Sequence, residues 1–130
     1  MKCLDTDFLV AVLRRQEAAR RRVDQLDQEG RQSTTAVNAF ELFYGASKSK
    51  MVEANVRESQ RLLSRLEVLP LSVGSVEKAG MIFGGLELKG SQIEFRDAMI
   101  AGIAIDQNLT LVTRNKRDYS RVPGLTLEEW

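Results

Sequence analysis

The stretch FRDAMIAGIAIDQNLTLVT, residues 95–113, decides the fold class. From Phe95 to Gln107 it predicts a helix that is apolar almost all round, the mark of a helix buried on every side. Two residues later Leu109-Thr110-Leu111-Val112-Thr113 predicts a strand rich in β-branched side chains. A buried helix feeding a buried strand is the unit of a parallel sheet covered by helices. The same alternation runs outward in both directions. Lys2-Cys3-Leu4-Asp5 predicts a short buried strand, with a helix after it that Thr6 or Asp7 can cap, carrying Phe8, Leu9, Val12 and Leu13. Gln16 to Gln28 is a charged helix with Ala19, Val23 and Leu26 on one face, ended by Gly30. Gln32 to Thr35 is a brief strand, and Thr34 or Thr35 caps a helix to about Ser47. Met51 to Leu66 is a helix with Val52, Val56, Leu63 and Leu66 inward, and Glu67-Val68-Leu69-Pro70 a strand closed by proline. Ser75 to Lys89 is helical but interrupted by glycine, and Leu125-Thr126-Leu127 is a last strand. The fold class is α/β: one domain over residues 1–130, with a central, mainly parallel sheet of four to five strands flanked by helices.

Composition narrows the chemistry. The 130 residues include one cysteine and no histidine. That excludes an intrachain disulfide, a Cys-rich zinc site, a Ser-His-Asp triad and any histidine base or ligand. Chemistry near neutral pH then falls to carboxylates, lysines or a metal. Nineteen Lys and Arg stand against 18 Asp and Glu, with no charged tail to announce a partner. A local basic patch is still enough for nucleic acid. No apolar run reaches the roughly 20 residues of a membrane span. Met1 to Leu13 carries Asp5 and Asp7 and no basic start, so it does not read as a signal peptide. A lone thiol fits a reducing, cytoplasmic setting.

Four acids stand at strand ends or on apolar faces. Asp5 follows the first strand and reads either as a helix N-cap or, because Thr6 and Asp7 can both cap, as free for other work. Glu41 shares a helical face with Val37, Phe40 and Tyr44, where an ionised carboxylate needs a partner arginine or a boundary position. Asp97 shares a face with Ile100, Ala101 and Ala104, and also lies in a first turn, where the helix dipole favours it. Asp118 follows a strand in a segment where a turn-forming aspartate is common. Each has an ordinary explanation alone. Ligands in such sheets bind beyond the carboxyl ends of the strands, where these acids can converge. Converging carboxylates raise one another's pKa or demand a cation, and an all-oxygen donor set selects Mg²⁺ or Mn²⁺, ions that most often handle phosphates.

Cys3-Leu4-Asp5-Thr6-Asp7, Asn38 to Ala46, Phe95 to Gly102 and Leu111 to Tyr119, in this order, with the closing Val122-Pro123-Gly124-Leu125 and Glu128-Glu129-Trp130, resemble the PIN domain. More closely they resemble the VapC-type toxins of prokaryotic toxin–antitoxin pairs. The resemblance implies a Mg²⁺- or Mn²⁺-dependent endoribonuclease that inhibits translation, plausibly by cutting tRNA. It also implies a VapB-type antitoxin that neutralises the toxin with a basic side chain in the acid cluster, a homodimer, and contact with DNA only through the antitoxin complex. By motif match Asp5 and Asp97 are the principal metal ligands, Glu41 completes the site and Thr6 supports it. Asn115 stands where many members have a fourth acid, Asp118 matches the alternative position, and Asp7 replaces a more usual asparagine. Arg114, Lys116 and Arg117 flank the site and are the expected phosphate contacts. The run Arg20-Arg21-Arg22 reads as a solvated helix face. Phe43 and Tyr44 read as core, and Tyr119 as able to stack on a base.

Two other readings compete. Asp5-Thr6-Asp7 after a strand is similar to the motif of HAD-type phosphatases. That family has Thr or Val two places after the second aspartate, where this chain has Leu9, and a later lysine and paired-acid motif that the sequence does not place. A PIN-like module that binds without cutting is the other alternative.

Overall fold

The computed structural model describes residues 1–130. Five short parallel strands form one sheet in the order β3-β2-β1-β4-β5. They are β1 (Cys3–Leu4), β2 (Ser33–Thr35), β3 (Glu67–Leu69), β4 (Leu111–Val112) and β5 (Leu127–Glu128). The chain steps from β1 outward to β3, then returns through two helices to β4 on the other side of β1. The order therefore reverses between β1 and β4, and at such a switch point the strand ends leave a crevice. Cys3 pairs with Ser33 on one side and Leu111 on the other, and Leu4 pairs with Val112.

Neighbouring residues on a strand point to opposite faces, and the core divides accordingly. Cys3 and Leu111 join Ile100, Ala101, Ile103 and Leu86 under α5 (Val73–Leu88) and α6 (Phe95–Asp106). Leu4 and Val112 join Phe8, Leu9, Leu26 and Leu66 under α1 (Thr6–Leu13), α2 (Glu17–Gln28) and α4 (Val52–Ser64). Between β2 and α4, α3 (Ala36–Ser47) contributes Val37 to the first cluster and Leu42 to the second. The short α7 (Lys116–Tyr119) closes the region past β4. No helix is long and apolar enough to cross a membrane.

Several local expectations change for identifiable reasons. Asp5, and not Thr6 or Asp7, caps α1, its Oδ1 accepting the Thr6 N–H at 2.9 Å. With no loop residue between β1 and α1, Asp5 is the last extended residue and the only one placed to cap. Met51 to Leu66 holds a shorter helix, in which Val52 is exposed and Ser59 is buried in its place. The glycines do not interrupt α5; it starts two residues early, at Val73, behind a capping box of Ser72 and Ser75. The strand expected over Leu109 to Thr113 keeps only Leu111–Val112, because the Leu109 N–H closes α6 on the Ala104 carbonyl at 2.9 Å. The last strand starts two residues later than expected, at Leu127, and ends one later, at Glu128.

Candidate active site at the sheet switch point

Asp5 leaves the end of β1 and Thr113 leaves the end of β4, so the switch point brings them together. The Thr113 hydroxyl donates to Asp5 Oδ2 at 2.7 Å. Asp5 Oδ1 accepts from the Thr6 N–H at 2.9 Å and from Asn38 Nδ2 at 3.0 Å. Asn38 is itself fixed: its Oδ1 accepts from the Thr35 hydroxyl at 2.7 Å, and its amide nitrogen also reaches Thr6 Oγ1 at 2.9 Å. Asp5 is only 6% exposed, yet all of its partners are neutral. Burial therefore pushes its pKa up to about 7; the charges of Asp7 and Asp97 add to the rise, and the hydrogen bonds from Thr113 and Thr6 only partly oppose it.

Glu41 comes from α3 and Asp97 from the first turn of α6. The Thr6 hydroxyl donates to Glu41 Oε1 at 2.7 Å, and Arg96 Nη1 lies 3.8 Å from Glu41 Oε2. Both ordinary expectations for Glu41, an arginine and a boundary position, are thus met, while the acid still faces the Asp5 network. Asp97 is half-buried and has no cationic partner. Its Oδ1 accepts from the Tyr119 hydroxyl at 3.2 Å, and Asn115 Nδ2 stands 3.5 Å from Oδ2. Burial, then the charge of Glu94, raise Asp97 to about 6, with Glu41 and Asp118 contributing. Burial, and then the charges of Asp5, Asp97 and Glu41, push the Tyr119 hydroxyl well above its ordinary range, so it stays a donor.

Asp5, Glu41 and Asp97 therefore surround Thr6, Asn38 and Tyr119. As they stand, no three acids are close enough to share one ion. Asp118 lies further out on α7, 3.8 Å from Arg121, and acts on Asp97 through its charge alone. Arg114 is exposed and stacks on Trp130, Lys116 pairs with Glu129 at 3.3 Å, and Arg117 is exposed.

Other expectations are corrected. Tyr119 is fully buried with its hydroxyl on Asp97, so it is unavailable to stack on a base. Tyr44 is 47% exposed and Phe40 is 55% exposed, so the stripe on α3 that starts in the core at Val37 is surface at these two positions. In the arginine run, Arg20 and Arg21 pair with Glu17 in solvent, but Arg22 turns inward onto Glu128. Sequence reasoning assigned no role to Asn38, to Thr113 or to the Tyr119 hydroxyl. The signal for Asn38 was present: it sits three residues after the cap Thr35, where a side chain can return to the cap backbone.

The fold and this convergence of carboxylates define a PIN domain. The PIN domain family model matches residues 2–125, and the chain belongs to that family, in its VapC-type branch. It is 35% identical over 127 residues to a tRNA(fMet)-specific endonuclease VapC of Shigella flexneri, covering 98% of this chain and 96% of that one. Among solved structures it is similar to VapBC2 of Rickettsia felis bound to a promoter DNA fragment, with TM-score 0.91 and 33% identity, covering 99% of this chain and 98% of that one. It is also similar to DNA-bound VapBC of Salmonella typhimurium, with TM-score 0.90 and 33% identity over 100% and 99% of the two chains.

Proposed function

We propose that this chain is a VapC-type endoribonuclease toxin that cuts tRNA using Mg²⁺ or Mn²⁺ and is neutralised by a VapB-type antitoxin in the cytoplasm. One observation carries the reading: Asp5 and Asp97 are buried or half-buried at the switch point, raised to about 7 and 6, with no protein cation against either. Uncompensated carboxylates at a strand edge are costly unless a cation arrives to share them. The donor set fits a hard divalent ion. It is all oxygen, and Mg²⁺ takes one or two protein carboxylates while keeping its waters, so three acids need not close on one point. Asp5 and Asp97 would hold the ion, and Glu41 would complete its surroundings. Bound there, the ion supplies a water of lowered pKa and neutralises charge on the phosphate oxygens.

The chain's own residues do the positioning. Thr113, Asn38 and the Thr6 N–H fix both oxygens of Asp5, Tyr119 fixes Asp97, and Thr6 aims Glu41. Arg114, Lys116 and Arg117 offer positive charge to the RNA backbone beside the acids. Water adds in line at phosphorus and the bond to the 3′ oxygen breaks, leaving 5′-phosphate and 3′-hydroxyl ends. The fourth position falls to the neutral Asn115 or to Asp118. The exposed Phe40 and Tyr44 on α3, with Met51 and Val52 at the start of α4, supply the surface of a homodimer.

The test is cleavage of total tRNA and of unstructured RNA by purified, antitoxin-free protein, wild type beside Asp5→Asn, with Mg²⁺, Mn²⁺ or EDTA. Metal-dependent cutting lost in the variant is the expected result. Folded wild type that cuts nothing with any metal favours the binding-only module, for which the neutral Asn115 is the supporting observation. Cutting that survives both EDTA and the substitution removes these acids from the reaction.

A further inference from the structure

Trp130, just past β5, makes three contacts that none of the roles above explains. Its ring edge meets Phe8, with centroids 5.1 Å apart at 77°. Its face carries the Arg114 guanidinium 3.6 Å from the ring centroid, and Arg114 Nε donates to the Trp130 backbone oxygen at 3.3 Å. Its Nε1–H donates to Asp7 Oδ1 at 3.2 Å. The other oxygen of Asp7 accepts the Arg114 backbone N–H at 2.9 Å and lies 3.2 Å from Thr113 Oγ1. The Asn115 N–H then donates to Thr113 Oγ1 at 3.0 Å. Asp7 thus holds the segment Thr113 to Asn115, and Trp130 holds Asp7. That segment is the one that reaches both central acids, through Thr113 to Asp5 and through Asn115 toward Asp97.

We propose that Trp130 is a positioning residue for the cleavage site: its indole N–H orients Asp7, which locks Thr113 to Asn115 between Asp5 and Asp97, while its ring face presents Arg114 to the RNA backbone. This rests on the ribonuclease reading. A carboxylate bonded at both oxygens cannot rotate about its own axis without breaking a bond; with the indole N–H gone, one oxygen is free and the grip on the Arg114 amide loosens. An arginine laid on an aromatic face gains cation–π attraction and loses rotamer freedom before RNA arrives. The two actions have different kinetic signatures. Trp130→Phe keeps an aromatic face and deletes the N–H, so kcat falls about tenfold while KM stays within about twofold. Trp130→Ala also removes the platform, so KM rises about fivefold, as in Arg114→Ala.

Asp7→Ala tests whether the path is shared. If Trp130 acts through Asp7, the double variant Asp7→Ala with Trp130→Phe loses no more kcat than Asp7→Ala alone. A readout free of RNA and metal accompanies the kinetics: in Trp130→Phe, amide hydrogen exchange at Arg114 and Asn115 speeds up about tenfold while the α5 and α6 amides keep their protection. Unchanged exchange at Arg114 overturns the proposal, as does a multiplying loss in the double variant, or a KM rise in Trp130→Phe equal to that in Trp130→Ala. Wild type that cuts no RNA overturns the ribonuclease reading instead, and exchange then still decides whether Trp130 holds the segment.

Discussion

Two regions of this molecule are packed by opposite means. Where α5 crosses α6, small residues bring the backbones together: a Cβ on Gly102 would lie 2.6 Å from the Ser75 carbonyl oxygen and 2.9 Å from Ala79 Cβ. At the carboxyl edge of the sheet the buried groups are Asp5, Thr34, Thr35, Asn38 and Thr113. Every buried side-chain nitrogen and oxygen there has a partner, yet the charge on Asp5 has no cationic one. One region is apolar and complete in itself. The other is satisfied in hydrogen bonds and unsatisfied in charge, which makes it rigid enough to position groups and ready to take up a cation. On the proposed ribonuclease reading, stability and chemistry fall to different halves of one small domain, and each half is expected to break alone.

The largest expected effect separates them by activity. Asp5→Asn or Asp97→Asn retains the side-chain shape and one acceptor oxygen but removes the charge, so cleavage falls by about a thousandfold, several kcal/mol of transition-state stabilisation. Circular dichroism of the variants stays native. A variant that keeps wild-type turnover would place the chemistry elsewhere.

The second effect is a pH dependence with a defined sign. Asp5 titrates near 7 in the folded chain, well above the ordinary aspartate value, so the folded state holds its proton more tightly than the unfolded state does. The stability linked to that proton is full below about pH 4 and is lost as pH rises to about 7. Without metal, wild type is therefore less stable at pH 8 than at pH 5, and Asp5→Asn exceeds it at pH 8 by about 2–4 kcal/mol. The advantage fades toward pH 4. Thermal melts in EDTA at the two pH values measure it; parallel curves for the two proteins would mean that the buried charge costs nothing. Mn²⁺ affinity moves the other way, tightening from pH 6 to pH 8 as Asp5 and Asp97 ionise.

Gly102→Ala strikes the other half. The new methyl meets backbone, which cannot swing aside as a side chain can, so stability falls by about 1–3 kcal/mol, roughly 5–10 °C in Tm. Turnover per folded molecule, measured well below the melt, stays at the wild-type value. A loss of turnover at equal folded fraction would show that the two halves are coupled.

The same division explains what could be read in advance. The apolar half was legible because periodicity reports burial: the largely apolar α6 buries Ala98 and every residue from Ile100 to Ala104. Asp5, Glu41 and Asp97 were legible as a group because acids on strand ends and apolar faces conflict with their surroundings. Their partners were not. Asn38, Thr113 and Tyr119 are neutral residues of common type, and only the strand order β2-β1-β4 sets them around Asp5 and Asp97. Capping by Asp5 was one of two open readings, because nothing in local propensity says that β1 runs into α1 without a loop. Tyr44 misled for a related reason: helical periodicity places it on a stripe with Val37, but the stripe outruns the core and leaves Phe40 and Tyr44 stacked on each other at the surface.

The smallest expected effects lie on the rim, where the acidic half meets solvent. Arg114, Lys116 and Arg117 are exposed on the segment around Asn115, so each is worth one screened phosphate contact. Ala at any one raises KM about two- to fivefold, leaves kcat near wild type and reduces the dependence of log KM on log salt by about one unit. Arg114→Ala gives the largest change of the three, because Trp130 already holds that guanidinium in place whereas Lys116 is engaged by Glu129. Glu129→Gln tests the order from the opposite side: it releases Lys116 and lowers KM, and Lys116→Ala in that background then costs more than it does in wild type. If the three substitutions prove equal and insensitive to Glu129, the rim acts as undirected positive charge, and the positioning built into the acidic half stops at the loop that carries Asn115.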